Sequence, residues 1–337
     1  MTSSNTSTAL LQLEQLSVGY GKKVVLSDCS ASLSKGMVVA LIGVNGSGKS
    51  TLLKAITFGD AILKGECRID GRSVRQLSAA QRAGLIAMVT PPPVIEGYMR
   101  VKDFVAIGRY PYLGNRGILS PNDKRVVAET IRICSLLGYE ERFYSTLSDG
   151  ERQRVLIARA LAQETPIILL DEPTAHLDLL YRTRLFALLK RLAHTSGRLI
   201  LLSTHELDLA MEYADRLWLI NEKGTLLSGM PEELAYKGIL QEVFHSESEF
   251  LDSKTRRIQT ACEQKLRPIQ LIASEQEALY WTIQMLQRIG YNATQEECGM
   301  QLHITKGIDE SIEWQLIADG RSMSFVSMEL LAKHLRT

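Results

Sequence analysis

The sequence predicts an α/β fold around a parallel sheet, and three observations carry that prediction. First, MVVALI (37–42), TPIILL (165–170) and LILLS (199–203) are short, continuous apolar runs. Runs of this kind form strands buried on both faces, as in a parallel sheet with helices over it. Second, the first run passes into GVNGSGKST (43–51) and then into STLLKAITFG, where Leu52, Leu53 and Ile56 recur at helical spacing. That is a strand, a glycine-rich turn and a helix. Third, the other two runs end in the polar groups DEP and THE. The ends of such strands are where open α/β sheets bind ligands.

The remaining elements follow in chain order. MTSSNTSTA (1–9) is polar and lacks the charge-then-apolar order of a signal peptide, so it reads as a loose tail. Segments 11–18 and 24–33 alternate apolar and polar residues and predict an antiparallel sheet beside the core. The stretch from 95 to 145 is expected to be mostly helical. RLWLINEKGTLLSG (216–229) predicts a hairpin turned at Glu222–Gly224, and PEELAYKGILQEVF (231–244) a helical close to the domain. Beyond it, RPIQLIA (267–273) predicts a strand. SEQEALYWTIQMLQRIGY (274–291) predicts a helix opened by a capping box of Ser274 and Glu277, with Leu279, Ile283, Leu286 and Ile289 on its apolar face. MQLHITK (300–306) and SIEWQLIADGRSMSFVS (311–327) alternate like strands, with Asp-Gly marking a hairpin, and SMELLAKHLR (327–336) closes as a short helix. The predicted domains are a tail over 1–9, a large α/β domain over 10–262 and a small α+β domain over 263–337.

Composition bounds the function. The chain has 337 residues, 45% hydrophobic and 23% charged, an ordinary balance for a globular protein of two domains. A net charge of +1 gives a nucleic-acid partner no electrostatic support. Five scattered cysteines without a C-x-x-C spacing point to reduced thiols and a cytosolic setting. No run of about 18 apolar residues predicts a membrane span.

The glycine-rich turn has a specific chemistry. Glycine lets the backbone adopt otherwise forbidden dihedrals and approach a ligand closely. Consecutive N–H groups then converge at the positive end of the following helix, which is a site for phosphate. Gly43 to Ser50 fits the P-loop pattern G-x-x-x-x-G-K-[ST]. The expected nucleotide-binding residues are therefore Gly43, Asn45, Gly46, Ser47, Gly48, Lys49, Ser50 and Thr51. Lys49 is expected to reach the β- and γ-phosphates and Ser50 to hold Mg²⁺. Asp171, at the end of the second run, can hold the same metal directly or through water. Glu172, one residue on, can point elsewhere and orient the attacking water as a general base.

LSDGERQRVLIARAL (147–161) resembles the signature of the ABC ATPases, whose usual form is LSGGQ followed by a helix. Here Ser148 and Gly150 are kept, while Asp149 and Glu151 stand at variable places. The resemblance covers residues 10–262 and implies a P-loop NTPase core with an antiparallel β subdomain and a helical subdomain, binding ATP and Mg²⁺. It implies that Ser148, Gly150 and Glu151 face the γ-phosphate held by a second copy, so that two copies close over two ATPs. Tyr20 in LSVGYGKK stands where an aromatic stacks on adenine. AHLD (175–178) resembles the D-loop, with Asp178 at the dimer seam, and His205 matches the switch histidine, expected to contact the γ-phosphate. The catalytic set implied is Glu172, His205 and Lys49.

One element departs from the family. A Gln usually ends a strand near residue 90, yet here VTPPP puts Pro91 at that place. Either Thr90 or water substitutes, or coupling between metal and partner is altered. Segments 101–123 and 203–220 resemble the ATPases of iron-siderophore, haem and cobalamin importers. This implies a peripheral homodimer on the cytoplasmic side of the plasma membrane. It would serve separate permease subunits and, through them, a substrate-binding protein. Arg109, Tyr110 and Pro111 are candidates for the surface that docks the permease. The alternatives are a weakly hydrolysing regulatory module and an ATPase for another cargo. One uninterrupted cassette speaks against repair and translation ATPases. The domain over 263–337 lies outside the usual family body and is expected to stabilise a dimer rather than sense a ligand.

Overall fold

The computed structural model describes residues 9–90, 98–113, 117–175, 177–244, 249–252, 257–260, 266–306, 311–318 and 320–336. The chain divides into two compact units, Met1–Gln259 and Thr260–Thr337.

The first unit runs β1 (Leu11–Tyr20), β2 (Lys23–Leu33), β3 (Val38–Gly43), α1 (Lys49–Phe58), β4 (Ile62–Ile69), β5 (Arg72–Ser73), α2 (Ala79–Leu85) and β6 (Ile86–Val89). Next come α3 (Val101–Ala106), α4 (Pro121–Ile133), α5 (Asp149–Ala162), β7 (Ile167–Leu170), α6 (Leu179–Ser196) and β8 (Leu199–Ser203). It ends with α7 (Leu207–Tyr213), β9 (Arg216–Ile220), β10 (Leu226–Gly229), α8 (Pro231–Tyr236), α9 (Ile239–Phe244) and the paired strands β11 (Glu249–Asp252) and β12 (Arg257–Thr260).

The three apolar runs are β3, β7 and β8, and every residue of each is buried. They sit side by side in a six-stranded sheet of order β10-β9-β3-β8-β7-β6, parallel except for the β9–β10 hairpin. Alternate side chains leave opposite faces of a strand. Val38, Ala40 and Ile42 accordingly join the core under α3 to α6, while Val39 and Leu41 join a second core with Leu52, Leu53 and Ile56 of α1. That second core is closed by the antiparallel sheet β2-β1-β4-β5, as the alternating segments at 11–18 and 24–33 predict.

The helical region is more broken than the sequence suggests. α3 runs into a 3₁₀ turn at 107–112, and α4 opens on Pro121 with a capping box of Ser120 and Asp123. Residues 134–143 return without helix, pairing Phe143 with Arg100. Arg109 is not a docking residue, because it is 3% exposed. Its guanidinium donates to Asp123 Oδ1 at 2.8 Å, to Ala162 O at 2.7 Å and to Glu164 Oε2 at 2.7 Å. It pins the 3₁₀ turn to the start of α4 and the end of α5. Tyr110, beside it, is exposed.

The second unit contains β13 (Arg267–Ala273), α10 (Gln276–Arg288), β14 (Tyr291–Thr294), β15 (Met300–Lys306), β16 (Ile312–Ala318), β17 (Arg321–Phe325) and α11 (Met328–Arg336). Its sheet has the order β14-β13-β15-β16-β17, parallel for the first three strands and antiparallel thereafter. The core packs Ile269, Leu302, Ile304 and Leu316 of the sheet against Met285 and Leu286 of α10 and Leu331 of α11. Inside it, Trp314 Nε1 donates to Thr282 Oγ1 at 2.9 Å. One expectation fails here. The capping box does not form: Glu275 is the N-cap of α10, and the Ser274 hydroxyl donates to Ile304 O instead. The expected apolar face of α10 does meet the core, with Leu286 buried and Leu279 and Ile289 half-buried against it, while Ala278, Thr282 and Met285 are buried beside them. The short edge strand β14, which follows Gly290 at φ 93°, is not foreseen. The expected boundary at 262/263 falls outside the described residues.

Removing one partner of a buried ion pair leaves the other charge uncompensated. Arg109→Leu is therefore expected to lower the unfolding free energy by about 3–5 kcal/mol in urea denaturation. Hydrogen bonds from Ser120, and then from Arg109, hold the Asp123 carboxyl below its usual range. A depressed carboxyl stabilises the fold above its unfolded pKa, and that contribution is lost as pH falls through the folded value. The difference between wild type and Arg109→Leu should thus shrink as pH drops below about 4.

Candidate active site

The loop after β3 is shaped by contacts that exclude side chains. Gly46 and Gly48 have φ of 79° and 102°. A Cβ on Gly43 would lie 2.7 Å from Ser47 Oγ, and one on Gly48 would lie 2.6 Å from Val25 Cγ1 of β2. Gly48 is also the N-cap of α1, and no side chain caps that helix. Its first N–H groups therefore remain free for a ligand, at the end where the helix dipole favours an anion. Ser47 Oγ is buried with no hydrogen-bond partner. Lys49 is 5% exposed, and its ammonium donates to Gly43 O at 2.8 Å and Val44 O at 3.2 Å. Burial pushes its pKa down, against the pull of the Glu172 and Asp171 carboxylates. Asn45 is exposed, and Ser50 and Thr51 are half-buried. Free amides, an unpartnered hydroxyl and a buried cation fit a polyphosphate.

Asp171 and Glu172 follow β7 and turn apart. Asp171 Oδ1 accepts from Ser50 Oγ at 3.1 Å and from Ser203 Oγ at 2.7 Å. Glu172 has φ 48°, uncommon for a residue with a side chain. Its N–H donates to Ser203 Oγ at 2.8 Å, and its Oε1 lies 2.8 Å from His205 Nε2. One hydrogen-bonded line thus runs from Ser50 through Asp171 and Ser203 to the Glu172 backbone, and from the Glu172 carboxylate to His205. The Ser50 hydroxyl and Asp171 carboxylate fit Mg²⁺, which takes one or two protein oxygens and completes its shell with waters and phosphate. Among the described residues, no cluster of three His, Cys, Asp or Glu side chains is placed to hold a metal.

Ser203 is missed by the sequence analysis. The available signal is a hydroxyl ending an otherwise apolar strand, which pairs with Leu41 of β3. Arg182 is missed as well. It donates through Nε to Leu177 O at 2.7 Å and pairs with Glu206, next to His205. No motif marks it, because its two partners come from separate segments.

The other expected residues lie apart from this line. Ser148 caps α5 in a box with Glu151, whose carboxylate accepts from the Ser148 N–H at 2.8 Å. A Cβ on Gly150 would meet Leu177 at 3.5 Å, so the signature adjoins the segment before α6. Asp178 caps α6 by accepting from Tyr181 N–H at 3.0 Å. Among the described residues, no hydrogen bond or ion pair joins Ser148, Gly150, Glu151 or Asp178 to residues 43–51. Tyr20 ends β1 opposite Lys23 and is exposed. Thr90 is exposed after β6, while Pro91 and His176 lie outside the described residues.

Comparison with known proteins gives the family. Residues 26–175 match the ABC transporter family, and residues 266–336 match the iron ABC transporter C-terminal domain. The iron(3+)-hydroxamate import ATP-binding protein of Bacillus subtilis is 34% identical over 248 residues, covering 73% of this chain and 92% of that one. The chain belongs to the ABC transporter ATP-binding family. It is an ABC ATPase, with ATP hydrolysis coupled to transport. A second relative of this ABC ATPase, the hemin import ATP-binding protein of Streptomyces coelicolor, is 37% identical over 229 residues, covering 68% of this chain and 81% of that one. The dimeric structure of a bacterial ABC transporter cassette matches it with a TM-score of 0.58 at 26% identity, covering 66% of this chain and 98% of that one.

Ser203→Ala removes the donor to Asp171 and the acceptor of the Glu172 N–H. A buried group left unpaired costs about 1–3 kcal/mol. The expected result is a matching loss of stability in denaturant, together with ATP turnover reduced roughly tenfold, or ~1.4 kcal/mol in the barrier. Gly48→Ala, which places a Cβ against Val25, is expected to abolish nucleotide binding in a fluorescent-nucleotide titration.

Proposed function

We propose that this chain is the ATP-hydrolysing subunit of an importer for an iron chelate, a siderophore complex or haem. The observation that carries the proposal is the hydrogen-bonded line from the nucleotide loop to Glu172 and His205. It brings Ser50, Asp171, Glu172 and His205 to one sheet edge, which supports giving the first two a metal and the last two the attacking water. The iron-hydroxamate and hemin import relatives, and the match over 266–336, support the cargo class.

The chemistry divides among the residues by position. The amides of the loop, the Ser47 hydroxyl and Lys49 bind the triphosphate of ATP. Ser50 and Asp171 would hold Mg²⁺, which neutralises charge on the β- and γ-phosphates when bound. Glu172 takes the proton of the attacking water, and His205, hydrogen-bonded to its Oε1, orients the carboxylate. Ser148, Gly150 and Glu151 at the start of α5 complete the site of a second copy, with Asp178 at the seam and Tyr20 against adenine. Two copies close over two ATPs and reopen once the γ-phosphate is cleaved, a switch driven by differential affinity for the closed state. Separate permease subunits harness that motion, and a substrate-binding protein delivers the cargo. The dimer docks peripherally on the cytoplasmic side of the plasma membrane. No helix among the described residues is long and apolar enough to cross a membrane. The same proposal assigns the ATPase domain to 10–262 and an appended, dimer-stabilising α+β domain to 263–337.

Glu172→Gln is expected to lower Mg-ATP turnover by about 10²-fold or more and to trap an ATP-bound dimer, seen by phosphate release and size exclusion. Unchanged turnover would sink the assignment of the base. Lys49→Ala is expected to lose ATP affinity. Affinity capture from the native membrane should bring down permease subunits, and a capture without them would refute the importer.

A further inference from the structure

A cavity of about 480 Å³ lies between the end of α4, the signature helix α5 and α6, within the size range of small-molecule sites. Its interior is apolar, with Ile157 and Leu185 buried and Leu188 half-buried. Three arginines line it, Arg154, Arg184 and Arg191, and no Asp or Glu does. Among the described residues none of the three forms an ion pair. Arg154 and Arg184 instead flank the Tyr181 ring, at 5.5 Å and 5.7 Å from its centroid.

Two polar atoms on the wall are unsatisfied. Gln153 is 4% exposed, and its Nε2 donor is buried without a partner, as is Nε of Arg154. Buried donors without acceptors are costly and rare, and no carboxylate in the lining offsets the three guanidinium charges, although Arg154 Nη1 donates to Ser135 O at 3.4 Å. An acceptor-rich anionic group would relieve both, and an apolar body would fill the interior.

We propose that this cavity binds a small amphipathic anion, its carboxylate or equivalent head among Arg154, Arg184, Arg191 and the Gln153 amide and its apolar tail along Ile157, Leu185 and Leu188. The cavity wall includes Gly150 of the signature and Leu177, two residues before the α6 N-terminus. An occupant would therefore bear on both segments that the proposed dimer brings to its seam, making the site regulatory. That consequence rests on the proposed function, whereas the binding does not.

The test is calorimetric titration of the full chain with sodium dodecanoate below its micelle concentration, with dodecanol as the neutral control. One saturable site per chain is expected. Affinity should fall at least tenfold in the Arg184→Glu/Arg191→Glu double variant and for dodecanol, and binding should vanish in Leu188→Trp, which fills the cavity. If charge reversal prevents folding, the Arg184→Gln/Arg191→Gln pair gives the same comparison. No saturable binding would overturn the site, and so would equal affinity for dodecanol or for the double variant. Turnover measured with dodecanoate separates the second claim: a change seen in wild type but not in Leu188→Trp supports regulation. Binding with unchanged turnover removes the regulatory role and leaves the site standing.

Discussion

The carboxylate of Asp171 is the constraint on which the rest of the site depends. One of its oxygens accepts from two hydroxyls that belong to different parts of the sheet edge, Ser50 from the first turn of α1 and Ser203 from the end of β8. Its own N–H is held by Val89 O of β6. Asp171 thus ties together the first turn of α1 and the ends of three adjacent strands. With Asp171 fixed, the chain must turn sharply at Glu172, and the positive φ there is the conformational cost of facing the next carboxylate toward His205.

Burial gives this arrangement its precision. The strands beneath the site are buried along their whole length and packed on both faces, so their ends cannot slide relative to one another. A one-residue slip would exchange the two faces of a strand. Here it would move Ile42 and Leu41 into each other's core. Asp171, Glu172 and Ser203 stand where β7 and β8 stop, and each finds a partner there.

Much of this was legible in the sequence because local pattern and tertiary role coincide. The parallel core follows from three apolar runs, the antiparallel sheet from period-two alternation, and the nucleotide loop from glycines where the backbone needs positive φ. The illegible parts depend on partners distant in sequence. Arg109 looks like an exposed residue beside a tyrosine and a proline, yet its acceptors lie at 123, 162 and 164. Ser274 has the spacing of a cap, but Ile304 O competes for its hydroxyl. Ser203 and Arg182 carry no motif, since each matters only through residues brought near by folding.

Gly48 begins α1 without any side chain to finish it, and the buried hydroxyl of Ser47 waits beside it in the same condition. The first turn of α1 thus has amides that no side chain of this chain caps, and a bound group can satisfy them. Whatever occupies that end is in part a structural member of the domain. A ligand held there would stabilise the fold by mass action, so the resistance of this chain to heat and proteases would rise with the concentration of that ligand.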